Sequence, residues 1–175
     1  SARQFVQSSL IQTVTAALAE SRLPARFLEL EITESCLMPA SGGALEILRT
    51  LKQMGVWITV DDFGTGYSNL SYLKKFPLGS LKIDQSFIRN TAIDHSNAAI
   101  VRAIIAMAAS LGLDVVAEGV ETEEQLQLVS HYQNIIVQGQ LLGRPMPAAA
   151  FGQFLQKAAG TNLAAQGRAW LRTAV

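Results

Sequence analysis

The chain holds a single cysteine, Cys36, among 175 residues. It cannot form an intrachain disulfide, and a reducing, cytoplasmic setting is the simplest expectation. Neither charge is in excess: 14 Lys and Arg balance 14 Asp and Glu. That removes the electrostatic footprint of a general nucleic-acid or anionic-membrane binder, so an anionic ligand needs a local site. No long hydrophobic run is present. The most apolar region, Ala98 to Val116, is broken by Arg102, Ser110, Gly112 and Asp114, too often for a membrane span. The opening SARQFVQSSL shows no signal-peptide pattern, and membrane tethering of a longer parent chain is compatible with both facts. His95 and His131 lie in polar stretches without metal-ligand spacing.

What is present is a globular composition, 49% apolar and 16% charged, of a length suited to one domain with a sizeable core. The pattern alternates helical and short β-type segments. Phe5, Leu10, Val14 and Leu18 recur at helical spacing, and Pro24 follows. FLELEIT (27–33) alternates as a strand. Leu45 to Met54 reads as an amphipathic helix stopped by Gly55. VWITV (56–60) reads as a strand buried on both faces, and LKIDQSFI (81–88) as a further strand. Ser96 is placed to cap a helix ending at Gly112. LDVVAEG (113–119) is the next strand. Thr122 and Gln125 fit a capping box, IIVQGQLL (135–142) a last strand and AAAFGQFLQKAA a last helix. Residues 1–159 form the expected domain and 160–175 a tail.

One helix followed by five βα-type units argues for an α/β fold with a parallel sheet, closed either as an open doubly wound sheet or as a (β/α)8 barrel. Polar residues favour the barrel. Glu31, Asp61 with Asp62, Lys82 with Asp84, Glu118 and Gln138 fall towards the carboxyl ends of successive strands. Barrels assemble their sites at that face. The segment DFGTGYS lacks the G-x-G-x-x-G spacing of a doubly wound nucleotide fold. A full barrel takes eight strands and about 250 residues, so five units make an incomplete one with two open edges.

Glu31, Asp61, Asp62 and Glu118 gathered on one rim cannot all stay ionised without cations. Mg²⁺ or Mn²⁺ prefers such oxygen ligands, and two such ions clamp a phosphoryl displacement. Lys82 then adds a charge near an attacking water or a phosphate oxygen, and Glu118 accepts a proton. The glycine-rich loop Phe63, Gly64, Thr65, Gly66, Tyr67, Ser68 is placed to cover the site. Each residue also has a plainer reading. Adjacent aspartates cap or turn, Glu29 faces solvent or pairs outside, and Lys82 snorkels at the surface. Cys36 is inert, and the apolar stripe of Ala98 to Ala108 is core. The joint pattern across five strand ends favours the chemical reading.

The strings LELEITES, DDFGTGYSNLSYLKKFPLGSLKIDQSFI, VVAEGVET and QGQLLGRPMP closely resemble the EAL domain, a family of cyclic-di-GMP phosphodiesterases. SARQF is similar to the segment after that family's Asn-Leu-Ser strand, and the resemblance runs from Ser1 to about Phe154. It implies a TIM-like barrel with one antiparallel strand and Mg²⁺- or Mn²⁺-dependent hydrolysis of cyclic di-GMP to linear pGpG. Glu31, Asp61 and Asp62 resemble metal ligands, Asp61 the shared one. Lys82 resembles the lysine that holds the catalytic water, Glu118 the base or metal-site glutamate, and Gln138 an active-site glutamine. Glu34 resembles the glutamate that steadies the loop after Asp62, a loop associated with dimerisation. A homodimer is therefore expected. The family's Glu-Ala-Leu motif does not occur in this sequence, nor does the asparagine of the Asn-Leu-Ser strand that would stand ahead of SARQF. The expectation is the C-terminal part of a longer domain, inactive by itself. The competing expectations are a non-catalytic cyclic-di-GMP receptor or dimerisation module, and a different two-metal phosphohydrolase.

Overall fold

The structure is a computed structural model that describes residues 4, 9–37, 42–66, 73–89, 91, 95–132 and 135–160. Helix α1 (Leu10–Ser21) leads through a short 3-10 turn to strand β1 (Glu29–Thr33). Helices α2 (Glu34–Leu37) and α3 (Gly42–Gln53) precede β2 (Trp57–Phe63). Strand β3 (Ser80–Ile83) is followed by α4 (Gln85–Arg89) and α5 (His95–Leu111). Strand β4 (Asp114–Glu118), α6 (Glu123–Ser130), β5 (Ile135–Gln138) and α7 (Ala148–Gly160) complete the order.

The five strands form one sheet in the order β1-β2-β3-β4-β5, and all four pairings are parallel. Strand order never reverses, so there is no switch point of the doubly wound kind. The winding is that of a TIM-like barrel of which five βα-type units are described. Among the described residues, β1 and β5 each have one neighbour, and no antiparallel strand is seen.

Alternate residues divide the sheet into two faces. Ile32, Ile58, Val60, Leu81, Ile83, Val115, Ala117, Ile135 and Val137 are buried on one. They join Leu48 and Leu51 of α3, Ile88 of α4, Val101 and Ala108 of α5 and Val129 of α6 in a single core. The other face carries Glu29, Glu31, Thr59, Asp61, Ser80, Lys82, Glu118 and Gln138, the inner wall of the barrel.

Two helix ends follow the glycine rule closely. Gly55 has φ +92°, and its N–H reaches Lys52 O while that of Val56 reaches Leu51 O. Gly112, at φ +70°, repeats the pattern with Ala109 O, and Leu113 with Ala108 O. Both are Schellman stops that turn the chain into the next strand. The capping box of α6 is complete: Thr122 accepts from Gln125 N, and the Gln125 side chain accepts from Thr122 N.

Several boundaries differ from the sequence expectation. The stretch 81–88 is not one strand: β3 ends at Ile83, and Asp84 Oδ1 accepts from Ser86 N at 2.9 Å to open α4. Local capping outweighs the strand propensity of Phe87 and Ile88. Likewise β5 stops at Gln138, and at Gly139 the chain passes so near Val120 that an added Cβ would meet Val120 O at 2.0 Å. Helix α5 starts at His95, which puts Ser96 inside its first turn. Glu29 does not face outward, since it shares the inner face with Glu31 two residues on.

Candidate active site

Lys82 is the centre of the site. It rises from β3 on the inner face, and its side chain is only 7% exposed. Its Nζ lies 2.6 Å from Glu118 Oε1, 2.7 Å from Glu31 Oε1 and 3.4 Å from Asp61 Oδ1. Strands β1, β2, β3 and β4 thus each contribute one charged group to a single point. The surface-snorkelling reading of Lys82 is excluded by this burial. Burial works against its charge, but the hydrogen bonds it donates to Glu118 and Glu31 outweigh that, and the ammonium holds its proton more tightly than an ordinary lysine. Lys82 is therefore a fixed cation and not a base at neutral pH.

Glu118 is less exposed than Glu31, at 18% against 47% of the side chain. Burial raises its pKa above the ordinary 4.5, partly offset by the hydrogen bond and charge of Lys82. A carboxylate so placed is a stronger base than one in water. In the β4–β5 register it lies opposite Gln138, which sits exposed at the strand end.

The pair Asp61–Asp62 is resolved by a bulge. Val60 pairs with Leu81 and Phe63 with Ile83, so β2 has one more residue than β3 over that interval. Simple alternation would send Asp62 into the core with Ile58 and Val60. Instead Asp62 adopts φ +55°, and Phe63 takes the buried place opposite Ile83. Aspartate is among the residues that tolerate this left-handed region. Asp61 therefore faces inward, and Asp62 is exposed within reach of the same charge cluster. Partial desolvation, with the charges of Asp61 and Asp84, raises the Asp62 pKa.

Behind the bulge, the buried Glu34 of α2 accepts a hydrogen bond from Gly64 N at 3.1 Å. A Cβ on Gly66 would lie 3.2 Å from Glu34 Oε1, so the loop is laid directly over this carboxylate. Gly64 itself is at φ +98° with the Phe87 ring against it. Thr65 Oγ1 donates to Asp62 O. Tyr67 and Ser68 lie outside the described residues. Cys36, half-buried, has its Sγ 3.0 Å from Thr33 Oγ1 and faces none of the site groups in this network. Sequence reasoning passed over Thr59 and Ser80, two buried hydroxyls beneath the site. Their spacing of two residues before Asp61 and Lys82 was the available signal.

The donors suit a hard divalent ion by chemistry: every anionic group is a carboxylate oxygen, and the buried Asp61 Oδ1 has no hydrogen-bond partner. Among the described residues, however, no group of three or more His, Cys, Asp or Glu is arranged to hold a metal. The convergence expected of the carboxylates is thus organised around the Lys82 ammonium, which supplies the positive charge where they meet. Among the described residues, no helix is long and apolar enough to cross a membrane.

Comparison with known proteins places this geometry. The cyclic di-GMP phosphodiesterase NbdA of Pseudomonas aeruginosa is 46% identical over 150 residues, 86% of this chain and 19% of that protein. The bifunctional diguanylate cyclase/cyclic di-GMP phosphodiesterase MucR of the same organism is 49% identical over 148 residues, 85% of this chain and 22% of its own. A solved MucR phosphodiesterase in complex with cyclic di-GMP superposes with a TM-score of 0.82 at 48% identity, covering 86% of this chain and 61% of that one. Klebsiella pneumoniae BlrP1, solved as a calcium and cyclic-di-GMP complex, gives 0.68 at 30% identity over 75% of this chain and 33% of that one. The chain spans about a fifth of the length of these two curated relatives. A family model described as the EAL domain matches residues 1–145, and the chain belongs to that family.

Proposed function

We propose that this chain is the carboxyl-terminal part of a metal-dependent phosphodiesterase domain that opens cyclic di-GMP to linear pGpG. The observation that carries the reading is the meeting of Glu31, Asp61 and Glu118 at Lys82 from four strand ends. A buried lysine meeting three carboxylates at a carboxyl rim serves no need of the core, which lies on the opposite face of the sheet. The relatives named as cyclic di-GMP phosphodiesterases, and those solved with that ligand, supply the substrate.

In this reading Glu31, Asp61 and Asp62 would hold Mg²⁺ or Mn²⁺, and the buried Asp61 Oδ1, which has no hydrogen-bond partner, supports it. The BlrP1 complex, solved with calcium and cyclic di-GMP, supports a divalent ion. Such ions polarise the phosphoryl group and lower the pKa of water. The chain's own residues do the rest. Lys82 has three N–H donors, two engaged tightly by Glu31 and Glu118 and one directed only loosely at Asp61. The third orients a water or a phosphate oxygen. Glu118 takes the proton of the attacking water as the water oxygen bonds to phosphorus and one ester P–O bond breaks, the departing sugar oxygen taking a proton from solvent to leave as a hydroxyl. The Gly64–Gly66 turn, held by Glu34, fixes the exit of Asp62 from the strand. Gln138 lies at the rim opposite Glu118, placed for a ligand contact. The same reading carries a homodimer and a cytoplasmic location.

The test is to incubate the full encoded protein with cyclic di-GMP and Mg²⁺ and follow pGpG. Tight binding without product would favour a receptor, and turnover of other nucleotide diesters alone would favour a different phosphohydrolase.

A further inference from the structure

One tier below Lys82, the inner face carries Glu29, Thr59 and Ser80. Each stands two residues before a site residue: Glu31, Asp61 and Lys82 in turn. Thr59 is 0% exposed and Ser80 2%, so their hydroxyls need partners within the protein. Trp57 Nε1 donates to Ser80 Oγ at 2.9 Å. Ser80 Oγ and Thr59 Oγ1 are 2.5 Å apart, and Thr59 Oγ1 donates to Glu29 Oε1.

Counting protons fixes the direction of this run. An indole N–H only donates, and an ionised carboxylate only accepts. Thr59 gives its one proton to Glu29, so Ser80 must give its own to Thr59. The chain Trp57 to Ser80 to Thr59 to Glu29 therefore runs one way and ends on a negative charge. Such chains polarise and strengthen along their length. The indole is seated for it: a Cβ on Gly79 would meet Trp57 at 2.3 Å, so only glycine leaves room. Lys52 Nζ lies over the same ring, 4.4 Å from its centroid.

We propose that this directed run is a positioning tier for the reaction proposed above. It ties β1, β2 and β3 side chain to side chain, about 6–7 Å beneath the charged cluster. Backbone pairing alone sets register. The tier also sets the spacing and tilt of the inner faces, so that the next residue up each strand meets its partners at Lys82. None of its members touches the substrate in this account.

Thr59→Val keeps the shape of the side chain, removes the hydroxyl, and leaves Ser80 without its acceptor and Glu29 without its donor. Thr59→Ser keeps the run. Both are made in the full encoded protein, together with Ser80→Ala as a second break should the valine variant fail to fold. Each is assayed with cyclic di-GMP and Mg²⁺, and each is crystallised. The valine variant is expected to lose on the order of tenfold in kcat with KM changed by less than about twofold, and the serine variant to stay near the parent. In the valine crystal structure, Lys82 Nζ is expected to move off Glu31 or Asp61. Where the parent protein turns over, kcat decides: unchanged kcat in a folded valine variant, or serine as damaging as valine, overturns the tier. Where the parent shows no turnover, the reaction reading falls by itself and the Lys82 geometry decides: displacement upholds the tier, and an unmoved Lys82 overturns it.

Discussion

The two faces of one sheet are made by alternate residues of the same five strands, yet they share almost no chemistry. Leu81 and Ile83 are fully buried against helices, while Lys82 between them gathers three carboxylates. The apolar face is extensive and contributes stability through area. The inner face concentrates charge at a few atoms, where burial is useful only because partners are in place. The difference teaches that a parallel strand can hold core and site in alternate positions, so damage to the two should separate.

The largest effect should come from Glu118→Gln. Turnover should fall by about 10²–10⁴-fold, with cyclic-di-GMP affinity by calorimetry much less changed. A variant that still makes pGpG at the parent rate would remove Glu118 from the chemistry. On the other face, Leu81→Ala should cost about 2–5 kcal/mol in urea unfolding while kcat of the folded fraction holds. If kcat falls as steeply as for Glu118→Gln, the division between faces is broken. Glu34→Ala should cost about 1–3 kcal/mol, because Gly64 N loses its acceptor, and should weaken Mn²⁺ binding measured by calorimetry.

The acid side of the pH profile sharpens the contrast further. The Glu118 pKa is raised, so the group must be deprotonated at a pH above the ordinary 4.5 before it serves as a base. The acidic limb of kcat/KM should therefore lie above 4.5, and a limb at or below it would count against Glu118. Lys82, with its pKa also raised, contributes stability fully present below its ordinary 10.5 and lost as pH climbs through the higher folded value. Unfolding midpoints should show no Lys82 transition near neutral pH. The smallest effect belongs to neither face: Thr122→Ala removes the α6 cap and should cost about 1 kcal/mol with turnover intact.

Much of this was legible in the sequence. Gly55 and Gly112 announced helix ends, Thr122 and Gln125 a cap, and the polar residues at strand ends a barrel rim. These are local signals, each set by one or two residues. The strand at 81–88 was misread because Asp84 and Ser86 form a cap that propensity does not reveal. VWITV is buried on both faces as its composition suggested, but Thr59 within it belongs to the polar face, where it is hydrogen-bonded to Glu29 and Ser80. The role of Lys82 as the centre of three ion pairs depends on four strands meeting, and no spacing along the chain reports that.

The left-handed backbone at Asp62 has a use for the experimenter. Glycine would relax there and alanine would be strained, while both delete the carboxylate. Comparing Asp62→Gly with Asp62→Ala therefore separates what the side chain does from what the twist in the chain costs.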